Sequence, residues 1–491
     1  MLSITPLSLS VFIAYVGYIT ICRIFFHPLR SVPGPFLARF SKLWLVWHVR
    51  KGKSHIQFPK LHAQFGPIVR IAPNQVLVCE EDAVKTVYGA GTSFTKGDWY
   101  QMCAAPDKNW KPVDEVLDLL TETNMEKYRR QRRAIGPAYS ITGLEKHEGL
   151  LDAYIDKFVA KSEDLRGKEV GLADWGHIFA LDSMSQFTLG KSPGYTDKGS
   201  DDGNEDASHA LWQCFTVIGL FPGFVKLMRS IPKVAALVSP KSLERMWVYR
   251  NREQRAESIE ETDMLVTLMR LHNDREARFP PSWVLSIALT NFGAGHDTLM
   301  FTLSSAIYHT YTSPSILARL RKDMESQGLT RNSKYSDIIT RVPLLLAVLK
   351  ESMRLWPTIG WYLPRLVPAT GATLCSTYLP QGTTVGTSLW TSHFGSEVFA
   401  EPQKFDPDRW LPDGTEEKRR RIGRMDSVWM GFGGGSRSCP GQHLARFFVI
   451  KALARLVMGC DVEVNGEPEI GGWFQCTLTG VGISIKKRKI E

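Results

Sequence analysis

No two cysteines in this 491-residue chain are spaced as CxxC. The eight, Cys22, Cys79, Cys103, Cys214, Cys375, Cys439, Cys460 and Cys476, are scattered. This spacing excludes an iron–sulfur ligand set and argues against a disulfide framework in so long a chain, which fits a reducing compartment. Internal repeats and long low-complexity tracts are absent. The 27 prolines are spread along the chain, so no obvious linker divides it. The net charge of +10 comes with no zinc-finger spacing or other nucleic-acid motif, so nucleic acid is not expected as a partner. A basic balance then leaves a solvated surface, an acidic membrane face or an acidic protein partner. No glycine-rich dinucleotide fingerprint opens a βαβ unit either.

Charge is also missing from Met1 to Cys22, where LSLSVFIAYVGYITIC is largely apolar, and Ile24, Phe25 and Phe26 extend the run past Arg23. About 20 apolar residues span a bilayer as a helix. A cleavable signal peptide is the rival, but the stretch has neither a basic n-region nor a clear small-residue cleavage site. Arg23, Arg30, Arg39 and Lys42 follow it, which puts the C-terminal flank in the cytosol. Pro33-Gly34-Pro35 then makes a stiff break. The expected organisation is a membrane anchor over 1–26, a proline-rich hinge over 27–36 and one large unit over 37–491.

Residues 66–79 alternate and turn like a β-hairpin. Helical periodicity dominates from about Thr121. The longest candidate helix starts near Ser282, an N-cap candidate after Pro280-Pro281, and runs to about Thr312, roughly 45 Å. Further helices are expected near 313–328, 341–355 and 441–458, short strands within 371–390 and 461–487, and a charged irregular stretch over 411–430. This is a mostly α chain with small segregated β-sheets, an α+β arrangement.

The segment with the most chemistry is Phe432-Gly433-Gly434-Gly435-Ser436-Arg437-Ser438-Cys439-Pro440-Gly441. Its glycines let backbone N–H groups approach the Cys439 sulfur, and a helix starting beside it adds a positive dipole end. Such a loop suits a thiolate. The run resembles the haem-binding signature of the cytochrome P450 family, Phe-x-x-Gly-x-Arg-x-Cys-x-Gly, at every fixed position. The resemblance implies haem b with Cys439 as the axial ligand, a strong electron donor that favours O–O cleavage. It also implies Phe432, Gly433 and Gly441 around the ring and Arg437 on a propionate.

Other segments resemble the family in order. Glu351-Ser352-Met353-Arg354 puts an acid and a base on one helix face, and Phe405-Asp406-Pro407-Asp408-Arg409-Trp410 falls between it and the cysteine. The family joins such a pair with an Arg, here Arg409, in a buried structural network; Asp408 stands where Glu is usual. Ala294-Gly295-His296-Asp297-Thr298, in the long helix, is similar to the oxygen-activation motif. Gly293, Ala294 and Gly295 leave room for dioxygen and water, Thr298 can hydrogen-bond the oxygen, and Asp297 can relay protons. His296 has no matching role and reads as a packing or pocket residue. Tyr128 and Arg132, one turn apart, resemble a propionate-side helix in which Tyr128 is an atypical occupant, and Pro364-Arg365 resembles a second propionate Arg. Both arginines read equally well as surface charges.

Phe26-His27-Pro28-Leu29, Val32-Pro33-Gly34-Pro35 and 66–74 look like fungal, pisatin demethylase-like members, so the resemblance covers nearly the whole chain. It implies a monooxygenase inserting one oxygen atom into a lipophilic small molecule, a tailoring step in specialised metabolism. The catalytic body would be cytosolic at the endoplasmic reticulum, in contact with membrane lipids. Electrons would come from an NADPH-dependent flavoprotein reductase, with basic clusters at Arg129, Arg130 and Arg133 and at Lys418 to Arg421 with Arg424 flanking its docking face. A haem-thiolate isomerase or lyase and a non-enzymatic haem-binding membrane protein are the alternatives; both have less use for Asp297 and Thr298. Candidate pocket walls are Trp99, Tyr100, Phe215, Ala294, Trp361, Tyr362 and Leu478, each reading more readily as core packing than as substrate contact.

Overall fold

The computed structural model describes residues 14, 17, 18, 20–103, 117–165, 167–230, 264–273 and 280–488. Most of the expected anchor over 1–26 lies outside these residues. Among them, no helix is long and apolar enough to cross a membrane.

One large and two smaller buried clusters organise the chain. The largest is mainly helical, and eight helices position the site: α1 (Met125–Ile135), α2 (Glu148–Asp164), α3 (Leu172–Leu189), α4 (Asn204–Ile218), α5 (Pro281–Tyr311), α6 (Pro343–Leu355), α7 (Glu416–Val428) and α8 (Gln442–Gly459). α5 is 31 residues long and packs along α3, α6 and α8. It is apolar nearly all round, as a helix crossing the interior must be. Its N-cap is Pro280, two residues before the expected Ser282, and it ends at the expected Thr312. Pro281 takes the first helical turn, where its missing N–H costs nothing.

The sheets are small and set to one side. β1 (Ile68–Ala72) and β2 (Gln75–Val78) form the expected hairpin. They continue through β8 (Thr384–Gly386) and β5 (Arg365–Leu366) to β3 (Thr95–Lys96). β6 (Ala372–Leu374) and β7 (Thr377–Leu379) pair as a separate hairpin. The tail makes β9 (Cys460–Gly472) and β10 (Cys476–Lys487), with β4 (Val170–Gly171) on the β10 edge. One expectation fails: 411–430 is not irregular throughout, because Glu416–Val428 is helical. The Thr415 side chain accepts from Lys418 N–H, and Glu416 and Glu417 occupy the first turn. Capping and dipole complementarity offset the lack of an apolar stripe.

The segment between α6 and α8 is held by one buried carboxylate. Glu351 accepts from Arg354 Nε at 2.9 Å and Nη2 at 2.8 Å, Arg409 Nε at 2.9 Å, Trp410 Nε1 at 2.8 Å and the Asp406 N–H at 3.1 Å. Arg354 in turn donates to the carbonyls of His393, Pro402 and Lys404. Glu351 and Arg354 are wholly buried, so each would be a stranded charge without the other. Asp408, by contrast, lies outside the network and pairs with Arg319 at 2.7 Å. Arg354→Ala should cost roughly 3–5 kcal/mol, read from urea unfolding midpoints. A loss below about 1 kcal/mol, the range of a surface pair, would contradict the network's structural role.

Candidate active site

The cysteine loop is a tight arch. Cys439 N–H donates to Phe432 O at 2.7 Å, which closes it, and Gly433 N–H donates to Met430 O at 2.8 Å. Gly433 and Gly435 have φ of +73° and +54°, a region other residues enter at a cost. α8 starts directly after, with Gly441 as N-cap, so the helix N-terminus faces the Cys439 sulfur as expected. Burial pushes the Cys439 thiol up; the Gly441 N–H, and then Arg132, Lys96 and Arg446, pull the other way. The protein thus biases the sulfur toward thiolate but leaves a net preference for the thiol, which a metal ligand bond reverses.

α1 braces this loop. Tyr128 Oη donates to Ser436 O at 2.9 Å and Arg132 Nη1 to Ser438 O at 2.6 Å. Both residues therefore meet the loop, though through its backbone. The Arg437 guanidinium lies 3.9 Å over the Tyr128 ring, which gives the atypical tyrosine a use. Phe432 sits edge-on to Trp429 at 6.0 Å, with Arg446 5.0 Å over its ring.

Beside the arch, cations gather, and among the described residues no carboxylate is ion-paired with them; Asp118 and Glu122 act on them only from a distance. Arg365 and Lys96 are register partners across β3 and β5, and both are buried. Burial, then Arg365 and Arg437, depress the Lys96 ammonium well below its usual range. Burial also lowers Arg437, with Arg365 adding to it. Among the described residues, Arg437 Nε and Nη1 have no hydrogen-bond partner. Arg365 Nη1 donates to Tyr100 Oη at 3.0 Å. Three crowded cations, of which Arg437 keeps two unfilled donors, fit a dianionic group, as the two haem propionates would be. Lys96 had no signal in the sequence; only the strand pairing brings it to Arg365.

On α5 the expected motif runs through unbroken α-helix, with no bulge. Thr298 Oγ1 donates back to Ala294 O at 2.8 Å. Gly295 does not open free space, because a Cβ there would lie 3.0 Å from the Met184 methyl on α3. Its smallness lets the two helices approach; Gly293 has nothing within 4 Å. Asp297 sits in a buried cluster with side chains of α3 and α4. One carboxylate oxygen lies 3.1 Å from His296 Nε2 and 3.3 Å from His177 Nε2. The other accepts from Ser208 Oγ and from Trp212 Nε1. Burial would push this carboxyl up, but His296 and His177 beside it and the Ser208 hydroxyl hold it well below the usual range. His296 therefore contacts the Asp297 carboxylate as well as packing in the core. His177, Ser208 and Trp212 were invisible in the sequence, since nothing local links α3 and α4 to the α5 motif.

The expected pocket walls divide. Trp99, Tyr100, Trp361, Tyr362 and Phe215 share one aromatic cluster. Trp99 stacks on Trp361 at 6.2 Å. Tyr362 Oη donates to Gln75 at 3.1 Å. Leu478 belongs to the main helical core, and Ala294 is half-buried on α5. In this structure all but Ala294 and Phe215 are buried packing residues.

A family model described as Cytochrome P450 matches residues 33–480. The chain is 32% identical to the cytochrome P450 monooxygenase sdnT of Sordaria araneosa, over 98% of this chain and 95% of that protein. It is 28% identical to a pisatin demethylase of Fusarium vanettenii, over 90% and 86% of the two chains. Among solved structures it resembles that of a cytochrome P450, CYP102L1, with TM-score 0.70 at 15% identity over 87% of this chain and 93% of that one.

Gly435 tests the arch. An added Cβ would lie 2.5 Å from Tyr88 O and 2.6 Å from Gly89 O, and its positive φ is strained for alanine. Gly435→Ala should sharply reduce haem bound per chain, measured by haemochrome absorbance against protein concentration. Full haem content in that variant would show that the arch does not depend on this close approach.

Proposed function

The chain belongs to the cytochrome P450 family, oxygen-incorporating oxidoreductases that carry haem on a cysteine thiolate, and on that footing we propose that Cys439 is the haem ligand of a monooxygenase that modifies a lipophilic small molecule. The observation that carries this is the Cys439 arch at the N-terminus of α8, braced by Tyr128 and Arg132 beside the crowded cations Lys96, Arg365 and Arg437. Haem supplies the binding and reductive activation of dioxygen. Arg437 and Arg365 would hold its propionates, with Lys96 adding charge beside them, and Phe432, Gly433 and Gly441 would shape the loop around it. Arg132 works from behind, fixing the loop through Ser438 O.

Thr298 and Asp297 deliver protons. The Thr298 hydroxyl rests on Ala294 O and keeps its lone pairs free to accept one. Asp297 is the buried carboxylate that recharges that position. An isomerase or lyase needs no such acid, and the buried partners that hold Asp297 favour the oxygenase reading over both alternatives. The two fungal relatives support a tailoring step in specialised metabolism. The apolar run over 1–26 would anchor the body at the endoplasmic reticulum, with 27–36 as hinge and 37–491 as the catalytic body. Exposed Phe25, Phe26, Phe36, Leu37, Leu43 and Trp47 lie close to that run and would rest on the lipid surface.

An NADPH-dependent flavoprotein reductase would dock near the basic clusters. Arg129, Arg130 and Arg133 are exposed on α1. On α7 the charges are partly spoken for: Arg419 and Arg420 pair with Glu416, and Arg424 with Glu81 at 2.9 Å. The α1 cluster is thus the freer attractor for an acidic partner.

Thr298→Ala should leave haem content unchanged while product formed per NADPH consumed drops by about tenfold or more, the balance appearing as hydrogen peroxide and water. Wild-type coupling in this variant would remove Thr298 from proton delivery.

A further inference from the structure

Asp297 does not end the line of titratable groups. His177, at mid-length of α3, is wholly buried. Its Nε2 lies 3.3 Å from Asp297 Oδ1 and its Nδ1 lies 3.1 Å from Asp201 Oδ2. Asp201 stands just before α4, where it accepts from the backbone N–H of Gly203 at 3.0 Å and of Glu205 at 2.6 Å. Its side chain is 18% exposed and that of Glu205 is 16% exposed. A row of carboxylate, imidazole and carboxylate therefore runs from the protein's rim to the acid of the α5 motif. The groups around His177 are Asp174 on its own helix, Asp201, Glu205 and His209 from the α4 side, and His296 and Asp297 from α5.

A neutral imidazole has one N–H and can serve only one of two facing carboxylates; an imidazolium serves both. His296 touches the same Asp297 oxygen but bridges to no second carboxylate, because its Nδ1 faces Phe292 O. On the reading of Asp297 and Thr298 given above, we propose that His177 is a positioning residue for proton delivery: its imidazolium tethers Asp297 to the rim carboxylate Asp201, and Asp297 becomes an acid only when it takes the Nε2 proton of that imidazolium.

The step is a proton transfer without redox change. The His177 Nε2–H bond breaks and an O–H bond forms at Asp297 Oδ1. The ring is left neutral with its Nδ1–H on Asp201, and a solvent proton arriving past Asp201 and Glu205 restores the imidazolium. The charges favour the resting tether and make the transfer to Asp297 uphill, so Asp297 holds the proton only transiently before passing it on. Burial alone would lower His177, but the facing Asp201 and Asp297 raise it to about 9. Asp201 is lowered to about 2 by His177. Burial raises Glu205 to about 7, so at neutral pH this rim group exchanges protons readily.

The test uses the haem-loaded enzyme in its diamagnetic carbon monoxide form with isotope-labelled histidine. The resonances lost in His177→Gln identify the ring. It should stay protonated through neutral pH and titrate near 9; in Asp297→Asn its pKa should fall toward the ordinary value of about 6.5. In parallel, His177→Gln should lower product per NADPH by about tenfold with unchanged haem content, and wild-type coupling should decline as pH rises through the His177 pKa. If His177→Gln fails to take up haem, Asp201→Asn at the rim supplies the same two readouts. A ring neutral at pH 7 would overturn the proposal, as would coupling equal to wild type. So would a stoichiometric divalent metal between His177, His296 and Asp297, whose donor atoms lie within 4.8 Å of one another. Uncoupling by Thr298→Ala without uncoupling by His177→Gln would sink this inference alone and leave the oxygenase reading standing.

Discussion

The Glu351 carboxylate is the interaction on which the site depends. It is wholly buried and accepts from Arg354, Arg409, Trp410 and the Asp406 backbone. A buried carboxylate is tolerable only when its lone pairs are filled by charged or well-aimed donors, and here they are. The consequence reaches the cysteine loop in three steps. Arg354 fixes the carbonyl of His393. Burial, and then Arg354, lower the His393 imidazole to about 3, so it is neutral and its Nε2 accepts the Met430 N–H at 3.0 Å. Met430 O then takes the Gly433 N–H that shapes the arch. Ion pair, neutral histidine and glycine turn form one mechanical line, and Cys439 is at its end.

That line holds the sulfur against a chemical preference. Burial opposes a bare thiolate, and the helix N-terminus with Arg132, Lys96 and Arg446 offsets only part of the cost. Nearby, Lys96, Arg365 and Arg437 present the opposite problem, crowded positive charge with two Arg437 donors unfilled. A cofactor that is Lewis-acidic at its centre and dianionic at its edge relieves both at once. This electrostatic complementarity argues for haem more specifically than the presence of a cysteine does.

What could be read from the chain follows from how local each feature is. The arch was legible because glycines, Arg437 and Cys439 are contiguous and their spacing is set by one turn. Helix α5 was legible to within two residues because Pro280-Pro281 and Pro314 bracket an apolar run. Helix α7 was missed since it has almost no apolar face, and its Thr415 cap with following glutamates was the available signal. The partners of Asp297 were out of reach. His177 and Ser208 lie 120 and 89 residues away in sequence, and only the packing of α3 and α4 on α5 joins them. Likewise Gly295 read as space for oxygen, whereas its missing side chain is what lets Met184 approach. A small residue in a buried helix serves neighbour and ligand alike, and sequence does not distinguish them.

The central claim is that Cys439 binds the iron, and the absorbance difference between the reduced enzyme and its carbon monoxide adduct tests it most directly. The wild-type enzyme and a variant lacking Cys79, Cys375 and Cys460 should both show the long-wavelength Soret band of a thiolate haem, whereas Cys439→His should bind haem yet show only the shorter-wavelength band of a nitrogen-ligated one. Persistence of the thiolate band in Cys439→His would place another cysteine on the iron and contradict the account.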